Sequence, residues 1–326
     1  MSATTIDLQR VAKDHLWMHF TRMGGYADQD VPIIVRGDGC YLEDANGKRY
    51  LDALAGLFSV NIGYSFGEEI GQAALEQMRE LPFYTNWSYA HPRAIELAGE
   101  VASLAPGDLN RVFFVSGGSE AVESAWKLAR QYYAARGEKR IRSSSHEPER
   151  GHDAIVAASQ GSRRYKAIAR HIAYHGTTLG ALSINGIPAL RTPFEPLIPE
   201  VRHVRNTNRY HRPPEETEAE FTALLLDDLE ETIVAMGPET VCMVHMEPVQ
   251  NAGGAFTRPR ATGKACARSA TSTTSSCPRT RSSPGSAAWG TGSAPSATTS
   301  GPTSSRRRRA SPRRTRRSAP SSRPIG

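Results

Sequence analysis

The chain has 326 residues and a formal net charge of +7, but its charges are unevenly distributed. Residues 258–326 contain 15 Lys and Arg and neither Asp nor Glu, so all 33 acidic residues lie in residues 1–257. The front part is therefore mildly acidic, which is ordinary for a globular enzyme and gives no basic surface for nucleic acid. No two of the four cysteines have C-x-x-C spacing, so we expect no metal site.

The segment from Met1 to Asp14 is polar, and the chain contains no apolar run of the length that a membrane span needs, about 18 residues. A secretory signal peptide also requires an apolar segment near the N-terminus. We therefore expect no signal peptide, no membrane partner and a cytoplasmic location.

Residues 1–104 predict short strands and amphipathic helices. Apolar residues recur at helical spacing in 9–20, 67–80 and 92–104, and Pro92 stands where a first helical turn tolerates proline. Residues 33–35 and 40–44 predict strands, and Asn46-Gly47 follows. An Asn-Gly pair favours a hairpin because both central residues of a type I′ turn need a positive φ.

Beyond residue 110, predicted strands alternate with predicted helices. The strands are expected at 111–115, 167–173 and 241–246, and the helices at 120–136, from 179 onward and at 216–236. This alternation favours βαβ units and a largely parallel sheet, so the expected fold class is α/β.

The pattern stops after Thr257. Residues 258–326 lack Leu, Val, Phe and Tyr and consist mainly of Ser, Thr, Pro, Arg, Ala and Gly. Such a segment has too little apolar surface to offset its chain entropy, so we expect it to be disordered. Its arginine clusters at 306–309 and 313–317 could act as a nucleic-acid arm, an alternative that we disfavour below.

The strongest local signal is Ser116-Gly117-Gly118-Ser119-Glu120, between a predicted strand and a predicted helix. Glycines let the backbone approach an anion, and a helix N-terminus presents free N–H groups and a partial positive charge. The segment is therefore a candidate phosphate site, although a glycine-rich turn with a serine N-cap fits the spacing as well. It is neither a Walker loop nor a dinucleotide fingerprint, which disfavours nucleoside triphosphates and NAD.

Several stretches resemble, in order, those of class III pyridoxal-phosphate (PLP) aminotransferases. Two of them are similar to the ω-amino acid:pyruvate transaminase branch, namely Gly56–Tyr64 and Leu81–Tyr84. The others correspond to the N-terminal hairpin, the phosphate segment and its helix, the ring-stacking turn and the E-P-V-Q loop of that family: Asp38–Asp52, Ser116–Arg130, Tyr174–Ala181 and Glu247–Gly254.

The resemblance implies a PLP site. Gly118 and Ser119 would hold the cofactor phosphate, and Tyr174 would stack on the pyridine ring, since an aromatic face suits a flat ligand. His175 would shape the same wall, and Glu247 would lie at the carboxyl end of a parallel strand, where open α/β sheets place ligands. A half-buried tyrosine at a strand end and an ordinary turn histidine are the alternatives for Tyr174 and His175.

The resemblance also implies substrates and a reaction. Phe58 and Tyr84 would line the substrate pocket, although isolated aromatic residues are more often part of a core. The reaction would move an amino group from an ω-amino acid or amine to pyruvate, a 2-oxo acid. The family assembles as homodimers with the active site at the subunit interface.

Two parts of the family's active site are missing from the sequence. One is the Schiff-base lysine in a T-x-x-K-G stretch, and the other is the aspartate in a D-E-V-x-x-G-F-G-R stretch that keeps the pyridinium charged. The only lysine after Lys166 is Lys264, which has an unrelated context. We therefore identify no catalytic residue and expect the chain as written to be inactive. The first hypothesis remains an enzyme of this family, and the alternative is a non-catalytic product of a broken gene.

A shifted reading frame explains the tail. Read two nucleotides later with GC-rich codons, Cys277–Gly290 can encode P-E-D-E-V-I-T-G-F-G-R-L-G, and Ser305–Ser311 can encode T-T-A-K-G-L. Both missing stretches then appear in a single frame. On this hypothesis the arginine clusters are by-products of GC-rich codons.

The expected fold is therefore PLP-dependent transferase fold type I, incomplete at the C-terminus. Residues 1–60 would be the N-terminal segment of the small domain, 61–257 a partial PLP-binding large domain, and 258–326 the frameshifted tail.

Overall fold

The computed structural model describes residues 5–107, 109–136, 163–210 and 212–259. The chain divides into two compact units, Met1–Ser293 and Ala294–Gly326, and every described residue belongs to the first. The disorder predicted for the tail falls almost wholly outside the described residues. None of the helices in the described ranges combines the length and the apolar character that crossing a bilayer requires.

A three-stranded antiparallel sheet, in the order β1-β2-β3, occupies the N-terminal part of the chain. It consists of β1 (Ile34–Asp38), β2 (Tyr41–Asp44) and β3 (Arg49–Leu51). The β2–β3 hairpin closes around Asn46-Gly47, and Gly47 has a φ of 79°. One carboxylate oxygen of Asp44 accepts the N–H groups of Asn46 and Lys48, both at 2.9 Å, which fixes the turn. The predicted hairpin is confirmed.

The helices of this part are α1 (Thr5–His15), α2 (Ala55–Phe58), α3 (Gly67–Glu80) and α4 (Pro92–Leu104). The bounds of α3 and α4 match the prediction, and Pro92 opens α4 while the ring of His91 accepts the N–H of Arg93 at 3.2 Å. Helix α1 ends earlier than predicted, at His15, and Phe20 has a φ of 53°, outside helical geometry.

The short element α2 is a left-handed turn. Its four residues have φ values between 49° and 66°, a conformation that costs non-glycine residues about 1–2 kcal/mol each. The carboxylate of Asp52 holds it, accepting the N–H of Leu54 at 3.1 Å and of Gly56 at 2.8 Å and the hydroxyl of Tyr64 at 2.6 Å. These hydrogen bonds, to the turn and to the segment that follows, offset part of the backbone strain.

A parallel sheet forms the centre of the part of the described chain that follows α4. Its strands are β4 (Lys166–Arg170), β5 (Val201–Val204) and β6 (Val241–Val244), in the order β5-β4-β6. The helices around it are α5 (Gly118–Ala135), α6 (Leu179–Ile184), α7 (Pro188–Arg191) and α8 (Glu218–Met236). A small antiparallel pair, β7 (Val249–Gln250) and β8 (Phe256–Thr257), follows the sheet. The parallel pairing confirms the predicted α/β class.

Both faces of this sheet are covered by helices. On one face, Val122 and Trp126 of α5 and Ile184 of α6 pack against small residues of β4. On the other, Leu229 and Ile233 of α8 pack with further strand residues. Burial on both faces is typical of parallel sheets with helical crossovers, and it explains why β4 carries the run Ala-Ile-Ala without polar alternation.

The predicted strand at 111–115 is wrong. Residues 109–115 have no regular secondary structure, and the side chain of Phe113 is 79% exposed. A strand forms only beside a hydrogen-bonded neighbour, and within the described ranges no strand lies beside this segment. The parallel sheet β5-β4-β6 has an open edge at β6, since β6 pairs only with β4 among the described residues.

Strands β4 and β6 also end earlier than predicted, at Arg170 and Val244. After β4 the chain turns at Ile172, whose φ of 68° is incompatible with a continued strand.

Candidate functional site

The N-terminus of α5 presents free backbone donors at the surface. Its N-cap is Gly117, not a serine, and no side chain caps the helix. The N–H groups of Gly118 and Ser119 therefore have no carbonyl partner within the helix. The neighbouring N–H of Ser116 is already bonded to the carboxylate of Glu120, at 2.8 Å. The serine N-cap that we considered from the sequence is wrong.

The turn after β4 lies against this helix terminus. The N–H of Thr177 donates to the hydroxyl oxygen of Ser119 at 3.1 Å, which leaves the hydroxyl hydrogen free for another acceptor. Gly176 has a φ of 121°, and a Cβ at that position would collide with the same hydroxyl. The structure thus brings Ser119 next to the turn that contains Tyr174 and His175.

Tyr174 contacts the N-terminal segment of the chain and keeps access to solvent. Its ring meets Phe20 edge-on, with centroids 6.3 Å apart and an interplanar angle of 71°. Its side chain is 44% exposed, so ring surface remains available to a planar ligand. Phe20 was not predicted from the sequence as a neighbour of this site.

A buried asparagine holds the turn in place. Asn185 accepts the N–H of His175 at 3.3 Å and donates to the carbonyl of Gly176 at 2.9 Å. Sequence reasoning missed this residue, although the Asn185-Gly186 pair at the end of a predicted helix was a usable turn signal. The two bonds fix the orientation of the backbone between Tyr174 and Thr177.

His175, His245 and Glu247 form a buried cluster beyond the carboxyl ends of β4 and β6. The two imidazole rings meet edge to face, with centroids 4.3 Å apart. Burial lowers the pKa of His175 to about 3 and that of His245 to about 4, and burial raises the pKa of Glu247. His175 Nδ1 lies 4.0 Å from Glu247, too long for a hydrogen bond. Because the imidazole is neutral at pH 7, the contact is not an ion pair there.

This cluster contains buried polar atoms without hydrogen-bond partners. They are Nε2 of His175, both ring nitrogens of His245 and Oε2 of Glu247. Nearly all buried polar atoms in native proteins are paired, so such a concentration indicates a place where a ligand or another segment completes the network. Together with the free donors of α5 and the accessible ring of Tyr174, these atoms fit a flat, anionic ligand such as PLP.

Of the two predicted pocket residues, Phe58 lies on α2 and Tyr84 in the segment between α3 and α4. Phe58 ends α2 and is partly exposed, and Tyr84 packs edge-on against Tyr89 with ring centroids 5.2 Å apart. In the described part of the chain neither ring shares a ring contact or a hydrogen bond with the histidine cluster. Their assignment to a substrate pocket stays a prediction.

Within the described ranges the parallel sheet carries one lysine, Lys166. It begins β4, at the end of the strand opposite to the Tyr174 turn, and its Nζ donates to the carbonyl of Met236 at 2.8 Å and pairs with Glu200 at 3.2 Å. Lys166 is therefore not placed to reach the cluster. Lys264, the later lysine, lies outside the described residues. Among the described residues, no group of three His, Cys, Asp or Glu is arranged to hold a metal ion.

Comparison with known proteins identifies relatives. Residues 26–269 match the family model "Aminotransferase class-III". A probable aminotransferase of Mycobacterium tuberculosis is 46% identical over 245 residues, which is 75% of this chain and 47% of the relative. The putrescine–pyruvate aminotransferase of Pseudomonas aeruginosa is 33% identical over 79% of this chain and 52% of its own length. The chain thus spans about half the length of these relatives.

Solved structures agree with the sequence comparison. An (S)-enantioselective ω-transaminase from Thermomicrobium roseum superimposes with a TM-score of 0.72 at 34% identity, covering 84% of this chain and 56% of that one. The ω-transaminase of Pseudomonas jessenii in complex with PMP (pyridoxamine phosphate) gives 0.71 at 29% identity, over 82% and 54%. The expected fold type I is confirmed, and class III aminotransferases are PLP-dependent. On the family match, which covers most of the chain, this protein belongs to the class III aminotransferases.

Proposed function

We propose that the N-terminus of α5 and the turn after β4 form the phosphate-and-ring half of a PLP site. One observation carries the proposal: the N–H of Thr177 bonds to the hydroxyl of Ser119, so the helix terminus and the Tyr174 turn meet. In the proposed complex, the N–H groups of Gly118 and Ser119 and the Ser119 hydroxyl donate to the phosphate. Tyr174 covers one face of the pyridine ring.

The cluster of His175, His245 and Glu247 would border the pyridine ring on the sides that Tyr174 does not cover. His175, neutral because burial lowers its pKa to about 3, would present an uncharged wall. Glu247 would offer Oε2, a buried carboxylate oxygen without a hydrogen-bond partner. Both side chains lie just beyond the carboxyl ends of parallel strands, the place where α/β sheets bind ligands.

The reaction proposed for the complete protein is amino transfer from an ω-amino acid or amine to pyruvate. PLP supplies the electron sink for this chemistry when it is bound. The putrescine–pyruvate relative and the ω-transaminase structures support this choice of donor and acceptor. Phe58 and Tyr84 are the proposed pocket residues for these substrates.

The chain as written is proposed to bind the cofactor weakly and not to catalyse the reaction. Lys166, the lysine of the described parallel sheet, is engaged with Met236 and Glu200 at its opposite end. The family's lysine and aspartate stretches are absent, and the shifted reading frame proposed above accounts for both. We propose the same division of the chain: 1–60 in the small domain, 61–257 in the large domain, and 258–326 as the tail.

A homodimer is proposed for the complete protein, and a cytoplasmic location. Helices α3 and α4 are amphipathic, yet neither buries a single residue in the isolated chain. Their exposed apolar residues, which include Ile70, Met78, Ile95 and Leu104, need a covering surface, and a second subunit would supply one.

The experiment that tests the cofactor proposal is titration of the purified chain with PMP. PMP is the suitable probe because its amine, unlike the aldehyde of PLP, does not attach to surface lysines. We expect saturable binding that Ser119→Ala weakens about tenfold, the loss expected for one charge-assisted hydrogen bond. Ser103→Ala, on α4, is the matched control and should leave affinity unchanged. Equal affinity of the wild type and Ser119→Ala would refute the proposed phosphate site.

For the reading frame, the test is the gene itself. If sequencing shows that no single-nucleotide restoration recovers the lysine and aspartate stretches, that part of the proposal is wrong.

A further inference from the structure

Glu123 connects the two elements of the proposed cofactor site. It lies on α5 one turn after Ser119, and residues four apart occupy the same face of a helix. Its Oε1 accepts three hydrogen bonds, from the hydroxyl of Thr178 at 2.5 Å, the N–H of Gly180 at 3.0 Å and the N–H of Ala181 at 3.3 Å. All three donors belong to the segment that follows the Tyr174 turn.

The contact between Glu123 and the start of α6 is close, and the N-cap residue of α6 does not replace it. Thr178, the N-cap of α6, makes no side-chain capping bond, so the first N–H groups of α6 depend on the Glu123 carboxylate. A Cβ at Gly180 would lie 2.7 Å from the carboxyl carbon of Glu123, which shows how tightly the two elements meet. With the Ser119–Thr177 bond, the same face of α5 contacts residues 177 to 181 along the following segment.

The distance between the N-terminus of α5 and the Tyr174 turn determines whether one rigid ligand can contact both. In PLP the phosphate and the ring are joined by a single short linker, so the donors of α5 and the ring of Tyr174 must be held at one spacing. A site that is already held at that spacing binds more tightly, because less order is lost on binding.

We propose that Glu123 is a positioning residue that holds the Tyr174 turn against the N-terminus of α5, and so sets the spacing between the phosphate and ring halves of the site. The expected effect of Glu123 on cofactor binding rests on the proposed function. The contact itself can be tested without any ligand.

Three variants separate the possible roles of Glu123. Glu123→Ala removes the acceptor. Glu123→Gln keeps an amide oxygen that accepts the same three bonds but removes the charge. Thr178→Val removes one donor and leaves Glu123 in place, and it serves if Glu123→Ala fails to fold. Glu76→Ala, an exposed carboxylate on α3, is the matched control.

The first measurement is amide hydrogen exchange. We expect faster exchange at residues 177–181 in Glu123→Ala, a smaller increase in Thr178→Val, and rates near wild type in Glu123→Gln and Glu76→Ala. Exchange on β5 and α8 should not change in any variant. Unchanged exchange at 177–181 in both Glu123→Ala and Thr178→Val overturns the inference, whatever the chain binds.

The second measurement is PMP affinity. If the wild type binds PMP, we expect Glu123→Ala to weaken binding about tenfold and Glu123→Gln to stay within about twofold. Equal affinity of Glu123→Ala and the wild type overturns the positioning role and leaves the proposed phosphate site intact. If the wild type fails to bind PMP while exchange responds as expected, the proposed cofactor site fails and the structural contact of Glu123 is supported.

Discussion

His175 and His245 pack edge to face at 4.3 Å between ring centroids, and Nε2 of His175 and both ring nitrogens of His245 are buried without a hydrogen-bond partner. Burial is the main reason that their pKa values fall to about 3 and about 4. For His175, repulsion from the protonated forms of His245 and His203 and from Arg170 lowers the pKa further. Two neutral imidazoles can therefore share this space, whereas an imidazolium there would be cut off from water.

The first prediction is a loss of stability in acid. Both folded-state pKa values lie below the ordinary histidine value of about 6.5, so the unfolded chain binds more protons as the pH falls below that value. The free energy of unfolding should fall by about 1.4 kcal/mol per pH unit for each histidine. The loss should extend from about pH 6.5 down to the folded pKa values. Urea unfolding at a series of pH values measures the slope.

Removing one of the pair should reduce this slope by the contribution of one histidine, about 1.4 kcal/mol per pH unit. His245→Gln has a similar size and does not titrate in this range, so the difference between its slope and that of the wild type below about pH 6.5 measures that contribution. The control is His15→Gln, on the exposed end of α1. A His245→Gln slope equal to that of the wild type would contradict the neutral pair.

Glu247→Gln should stabilise the chain at neutral pH. Burial raises the pKa of this carboxyl, which means that its charged form is disfavoured in the folded state. The resulting loss of stability appears as the pH rises above the ordinary pKa of a carboxyl group, and the neutral amide of the Gln variant avoids this loss. We expect the variant to gain about 1 kcal/mol at pH 7 and no advantage at about pH 4. Paired urea titrations at the two pH values measure the difference, and a variant that is less stable at pH 7 would count against it.

Gly176→Ala should damage both folding and the site. The positive φ of 121° is strained for any residue with a Cβ, and the new methyl group would displace the Ser119 hydroxyl. We expect a loss of at least 1 kcal/mol in unfolding free energy and the loss of PMP binding. Gly99→Ala is the comparison, because nothing lies within 4 Å of a Cβ there and the site is inside α4. That change should gain about 0.5–1 kcal/mol.

Ile233→Ala should be among the most destabilising changes in α8. Its side chain is fully buried against the parallel sheet, and removing it leaves a cavity, at a cost of about 2–5 kcal/mol. Val234, the next residue, is 58% exposed, and Val234→Ala should change stability by less than about 0.5 kcal/mol. Urea unfolding of the two variants tests whether the sheet face of α8 is assigned correctly.

The sequence predicted those elements whose formation depends on local signals. Helices α3 and α4 follow from apolar spacing, and the β2–β3 hairpin from Asn46-Gly47, because each has its stabilising contacts within a few residues. The predicted strand at 111–115 failed for the opposite reason. An apolar run becomes a strand only when a distant segment pairs with it, and periodicity contains no information about that partner.

The site was predictable in part. Ser119, Tyr174, His175 and Glu247 were predicted as site residues from motifs, and the structure brings the first three close together at the terminus of α5. Glu123 was missed because its role depends on hydrogen bonds to groups 55 to 58 residues further along the chain. Asn185 bonds to His175 and Gly176, which are near in sequence, and it was missed although the Asn-Gly pair was a usable signal. A polar residue in a helix gives no sign in the sequence of which remote N–H it accepts.

Among the described residues β6 pairs only with β4, and an edge left open there affects how long this polypeptide persists in a cell. The sequence of β6, Val-Cys-Met-Val, is apolar and has neither the lysine nor the proline that exposed edge strands use against intermolecular pairing. Without a covering strand, this edge is a template for aggregation and a recognition feature for chaperones and proteases. We therefore expect protein quality control, acting on that one strand, to set how long the chain persists.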